Sequence, residues 1–263
     1  MKLREKMWLW GQTPGSHHAV GNPFKIPGEN KMTAMEGGKH FGIPNVFRVV
    51  MADMPKKEEF DKEAQDLDGF DKIFWSLIGS GGSKHELVVD EVLALAEKYD
   101  KIEGAITDDF LTNERMKIFT PAMIAEARER LHAFHKRKLD LYTVVYVHEL
   151  APDKADFLKE FDAISLWCWY EENLLTLKEN YKTLRSIIGD EKKIFAGCYM
   201  WDYGNRKEIS ESAMRLQLDT YYEWLKTGKI EGIILCSNCV ADLGLKTKDI
   251  MLDWMREHGD DEI

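Results

Sequence analysis

Eight short apolar runs, each followed by a stretch of helical periodicity, constrain this chain more than any other feature. The runs are Met7–Trp10, Val46–Met51, Lys72–Ile78, Ile102–Thr107, Leu141–Val147, Ala163–Cys168, Ile194–Tyr199 and Ile230–Cys236. Runs of this length, rich in β-branched and aromatic residues, read as strands, and strands that alternate with helices build a parallel sheet. Eight such units in 263 residues match the count and the size, about 250 residues, of a closed (β/α)8 or TIM barrel. The rival is an open doubly wound sheet, which usually carries a glycine-rich phosphate turn after its first strand. Trp10-Gly11-Gln12-Thr13-Pro14-Gly15 is not GxGxxG, and Ser80-Gly81-Gly82-Ser83 reads as a flexible turn between a strand and a helix. The expected fold class is therefore α/β, one (β/α)8 barrel domain over residues 1–263, with no internal repeat or linker.

Helix-start signals stand between the runs. Thr33-Ala34-Met35-Glu36 and Ser83-Lys84-His85-Glu86 fit the capping box, and Thr120-Pro121 pairs a cap residue with a proline at the first helical position. Pro55 and Pro152 are placed to open the second and fifth helices in the same way. Amphipathic periodicity predicts helices over 122–138, 171–188, 211–226 and 247–258.

The formal charge of −10 argues against a nucleic-acid partner, which calls for a basic face. No stretch is apolar enough to span a bilayer, and Met1-Lys2-Leu3-Arg4-Glu5-Lys6 has no signal-peptide pattern, so the expectation is a cytoplasmic protein without a membrane partner. Four cysteines, Cys168, Cys198, Cys236 and Cys239, are expected as free thiols. The single CxxC formed by Cys236 and Cys239 is a weak metal signal, and Cys168, Cys198 and Cys236 fall on three successive strands as small core residues. No cofactor and no metal are expected.

In a barrel the chemistry sits at the carboxyl ends of the strands, where the βα loops surround the mouth. Those ends supply carboxylates, Asp108, Asp109, Glu149 and Asp202. They also supply rings, Trp10, Trp167, Trp169, Tyr199, Trp201 and Tyr203. Cleavage of a glycosidic bond needs two carboxyl groups, one protonated and one ionised, and crowding in a partly dry pocket separates their pKa values. Pyranose C–H faces rest on aromatic rings, and Gln12, His17, His18, Asp53, His148 and Asn238 are candidates to bind its hydroxyls. Strand alternation allows only one of Asp108 and Asp109 to aim straight at the pocket. The long loop over 11–32 opens onto the same face.

With these residues in place, Gly104-Ala105-Ile106-Thr107-Asp108-Asp109-Phe110 resembles fourth-strand segments of the glycoside-hydrolase type of (β/α)8 barrel, where an acid commonly emerges. That resemblance implies Asp108 or Asp109 as acid/base and Asp202, in Met200-Trp201-Asp202-Tyr203, as nucleophile, with a carbohydrate or glycoside as substrate. The segment lacks the Asn-Glu pair of the large glycosidase clan, and the seventh run carries aspartate where that clan has glutamate. Two other readings stand beside it. One is a metal-dependent sugar isomerase or epimerase using Glu149, Asp109, His148 and Asp53 around a divalent ion. The other is a carbohydrate-binding barrel without catalysis.

Overall fold

The protein, seen in a computed structural model, is described over residues 1–81 and 83–263. Gly82, part of the turn expected over Ser80-Gly81-Gly82-Ser83, lies outside the described residues. Eight strands are short and almost completely buried: β1 Met7–Gly11, β2 Asn45–Arg48, β3 Lys72–Ile78, β4 Ile102–Thr107, β5 Asp140–Tyr146, β6 Ala163–Trp167, β7 Lys193–Tyr199 and β8 Gly232–Cys236. Each pairs in parallel with its sequence neighbours. The ring closes where Trp8 of β1 is in register with Ile234 of β8 on one side and Asn45 of β2 on the other. A strand buried on both faces has no polar alternation to show, which is why these segments read as continuous apolar runs.

Eight helices follow the strands in turn: α1 Ala34–Phe41, α2 Phe60–Asp66, α3 Val89–Lys98, α4 Pro121–His132, α5 Ala155–Leu158, α6 Leu177–Ile188, α7 Glu211–Lys226 and α8 Lys246–His258. Among the described residues, no helix is long and apolar enough to cross a membrane. The Thr33–Glu36 capping box is present in both directions, and Thr120 caps Met123 ahead of Pro121. Pro152 opens a 3-10 turn that leads into α5.

Three local expectations are corrected. Ser83 does not cap a helix; its hydroxyl donates to the Ser80 carbonyl and accepts from the Asp53 N–H, and α3 begins only at Val89. Pro55 precedes the helical segment instead of opening it, since a 3-10 turn starts at Lys57 and α2 at Phe60. The helix expected over 122–138 stops at His132, because Ala133 to Lys138 turn back to start β5.

The barrel interior is filled with rings. Trp8, Phe74, Tyr142 and Phe195 come from alternate strands and form one layer, with centroids 5.5 Å, 4.3 Å, 5.2 Å and 6.0 Å apart around the circuit. Four side chains from alternate strands are the layer that barrel geometry prescribes. Phe47 of β2 lies against all four, and Trp10 and Trp167 continue the stack toward the mouth. Such bulk demands small partners. A Cβ on Gly197 would stand 2.0 Å from the Trp167 ring, so β7 needs a glycine there.

At the opposite, amino-terminal end the two chain ends meet. The Ile263 N–H donates to the Met1 carbonyl at 2.9 Å and the Leu3 N–H to the Asp261 carbonyl at 2.8 Å. Lys2 and Arg4 both pair with Asp260.

Candidate active site

Inward-pointing residues on β4 are Gly104 and Ile106, so alternation brings Asp108 onto the barrel axis. Asp109 should then face away. The strand ends at Thr107, however, and Asp109 takes a left-handed backbone conformation, φ 50°, which Asp tolerates better than most residues. Both carboxyls therefore line one hollow in the mouth.

That hollow has a volume of about 60 Å³. Trp10, Trp167, Trp169, Tyr199, Tyr203 and Phe24 supply its rings, and Gln12 and His17 its other polar groups from the first loop. Beside it a wider groove of about 500 Å³ is lined by Thr112, His148, Glu149 and Tyr170. Asp109, Tyr146 and Trp169 line both spaces and form the threshold between them.

The electrostatics of the acid pair follow from burial. Desolvation, then the neighbouring Asp109 carboxyl, push the Asp108 pKa up to about 8, and the Ser80 hydroxyl and Arg115 oppose this only in part. Desolvation also raises Asp109, but the Tyr146 hydroxyl donates to its Oδ1 at 2.8 Å, and Arg115 and His148 favour its charge. Of the two, Asp108 is the acid that burial and its neighbour hold protonated near neutral pH, and Asp109 is the one whose contacts favour its charge. Arg115 reaches the pair from behind, its guanidinium N–H groups donating to the Asp108 and Gly79 carbonyls.

Glu149 lies in a 3-10 turn directly after β5. One of its oxygens accepts from the Tyr146 N–H at 3.0 Å, and burial raises its pKa to about 6. His148 stacks on Tyr146 with centroids 5.4 Å apart, and burial lowers its pKa. Burial, then His18, lowers His17 to about 4, so it is neutral, stacked on Tyr203 at 5.6 Å.

The remaining sequence candidates are placed elsewhere. Asp202 is 1% exposed and does not line the hollow; its carboxyl accepts from the Glu171 N–H, the Asn205 N–H and the Asn205 side chain, holding a two-residue ribbon of Trp201–Asp202 with Lys207–Glu208. Asn238 is fully buried and is spent on the first loop, accepting from the Gln12 N–H and donating to the Gln12 and Met32 carbonyls. Trp201 donates from its indole to the Phe24 carbonyl at 3.1 Å, beneath the same loop. His18 is half-buried outside the hollow. Asp53 lines a separate cavity of about 320 Å³ between the loops after β2 and β3, where its Oδ1 accepts from the Lys84 N–H.

This placement separates the members of the candidate metal set, because Asp53 is not with Asp109, His148 and Glu149. Among the described residues the one close group of three possible ligands is His132, Asp140 and Asp162. It lies at the amino-terminal end of the barrel, where Lys138, His132 and the Leu141 N–H already hold Asp162. The four cysteines are free and buried.

Sequence reasoning missed Tyr146 as the partner of Asp109, and Ser80 and Arg115 as neighbours of Asp108. Tyr146 ends β5, so the strand-end rule itself was the signal available. Arg115 lies in a short helix in the loop after β4 and had none.

No family model matches the chain, and no curated protein does. Solved structures do resemble it. A chitinase from Bacteroides thetaiotaomicron is 13% identical with a TM-score of 0.58, covering 98% of each chain. A putative chitinase A from Streptomyces coelicolor is 11% identical with a TM-score of 0.57, covering 97% of this chain and all of that one. The aldolase QR15, 11% identical with a TM-score of 0.51 and covering 95% of this chain and 96% of its own, shares the fold as well. Likeness at such identity is likeness of architecture, and this architecture hosts many reactions. The chain is a (β/α)8 barrel, an architecture that it shares with these chitinases and with the aldolase.

Proposed function

We propose that the mouth of this barrel hydrolyses a glycosidic bond. The observation that carries the reading is the position of Asp109, a carboxyl group held by the Tyr146 hydroxyl on the threshold between a ring-lined hollow and a groove that also holds Glu149. The groove's volume is within the range of about 300–1,000 Å³ usual for ligand sites, and the hollow is too small for a sugar ring. The ring therefore lies in the groove against Trp169 and Tyr170, with its reacting carbon at Asp109.

The two acids then divide the chemistry. Glu149, with its raised pKa, donates a proton to the departing oxygen. Asp109, held by Tyr146, stabilises the positive charge that develops on the sugar as the bond to the departing oxygen breaks; water then bonds to the same carbon and returns a proton to Glu149. Chitinases among the structural neighbours support a carbohydrate as the substrate class.

The test is hydrolysis of a panel of aryl glycosides by the wild-type chain and by Asp109→Asn and Glu149→Gln. Each substitution is expected to lower kcat/KM by roughly 10²–10⁴-fold. Turnover by both variants at the wild-type rate would end the assignment.

A further inference from the structure

The inner hollow has a chemical character that narrows the substrate, and the inference rests on the reading above. Its walls are ring faces and edges: Phe24, Trp169 and Tyr203 pack on one another in one wall, with centroids 5.7 Å, 5.1 Å and 5.6 Å apart. Tyr199 continues that wall at 4.9 Å from Tyr203, and Tyr146 at 5.2 Å from Trp169. Ring faces carry negative partial charge and attract cations. The acids of the floor are Asp108 and Asp109.

No cationic side chain answers them from the cavity side. Among the described residues that line the hollow or the groove there is neither lysine nor arginine. Arg115 spends its N–H groups on two backbone carbonyls behind the pair. His17 and His148, the imidazoles facing these spaces, are both held toward the neutral form by burial. The hollow, at about 60 Å³, accepts a substituent of a sugar but not the sugar itself.

We propose that the hollow seats the protonated amino group of an unacylated amino sugar, between the wall of Phe24, Trp169 and Tyr203 and the Asp109 carboxyl. A 2-amino group stands on the carbon next to the reacting one, so a single carboxylate on the threshold reaches both. A neutral sugar offers Asp109 no cation beyond the Tyr146 hydroxyl that it already accepts from, and a uronic acid adds a like charge beside it.

Calorimetric titration of the whole chain near pH 6 with glucosamine, glucose, N-acetylglucosamine and glucuronate reads this directly. Glucosamine is expected to bind at least about tenfold tighter than each of the others, and a tenfold difference corresponds to about 1.4 kcal/mol. Asp109→Asn is expected to bring glucosamine to the level of glucose. Phe24→Ala, at a half-buried wall position, weakens glucosamine selectively and leaves the melting temperature near wild type. Equal or tighter binding of glucose or N-acetylglucosamine, a preference that survives Asp109→Asn, or no heat with glucosamine at tens of millimolar would each overturn the proposal. These titrations need no turnover. A chain that prefers glucosamine yet cleaves no glycoside retains its cation pocket and loses the hydrolase reading; one that cleaves neutral glycosides without that preference does the reverse.

Discussion

Asp108 is a carboxyl group that the fold keeps neutral, and this has a cost that can be measured. Its folded pKa is about 8, against about 3.9 for an unperturbed aspartate. The unfolded chain therefore releases a proton between these values while the folded chain keeps it. The contribution of Asp108 to stability is complete below about pH 4 and is lost as pH rises toward about 8. Asp108→Asn removes this loss, so the variant should gain on the order of a few kcal/mol over wild type near pH 8, and much less at pH 4, in denaturant titrations at the two pH values. Glu149 sets a second pH effect, on activity. In the proposed hydrolysis it donates a proton and must be protonated, so kcat/KM should fall as pH rises through about 6, and Glu149→Gln should erase that limb from what activity remains.

Among the elements, the segment between β1 and α1 shapes the mouth, and it is held by buried polar groups from distant positions. Asn238 bonds both ends of it, through Gln12 and Met32, while Asn30 donates to Asp242 and to the Asn238 carbonyl. Arg48, 1% exposed, donates to Thr13 at 2.7 Å and to the Gly11 carbonyl while paired with Glu63 at 2.8 Å. Asn238→Ala leaves one N–H and two carbonyls without these partners, and should cost about 2–4 kcal/mol in thermal or chemical unfolding. It should also raise KM more than it lowers kcat, since Phe24, Gln12 and His17 lose their support. The strands themselves were legible in the sequence: β3 and β4 have the expected limits, and the others differ by one to three residues at an end, because apolar runs buried on both faces leave a continuous signal. The same rule placed Trp10, Trp167, Trp169 and Tyr199 around the mouth. What could not be read was the path of the chain after a strand ends. A left-handed residue turns Asp109 inward against alternation, and Asn205 and the Glu171 N–H draw Asp202 out of reach. Both outcomes depend on loop geometry that no periodicity encodes.

At the scale of the molecule, the barrel is divided between a ring-packed lower half and an upper one that holds the candidate site. The aromatic layer of Trp8, Phe74, Tyr142 and Phe195 separates the hollow above Trp10 and Trp167 from a cavity of about 350 Å³ on the underside. The clasp between the chain ends lies beneath that layer, on the face away from the hollow; Met1, Glu5 and Lys6 border the underside together with Trp8 and Phe74. Because head and tail already touch there, the order in which the eight units are synthesised is not imposed by the packing. A circular permutant that links Ile263 to Met1 through a few glycines and opens the exposed turn at 189–191 should fold to the same far-ultraviolet spectrum and bind the same sugars, as judged by circular dichroism and titration. Tags, dyes or a second enzyme attached at either end would then project from the underside, leaving the approach to Asp109 unobstructed.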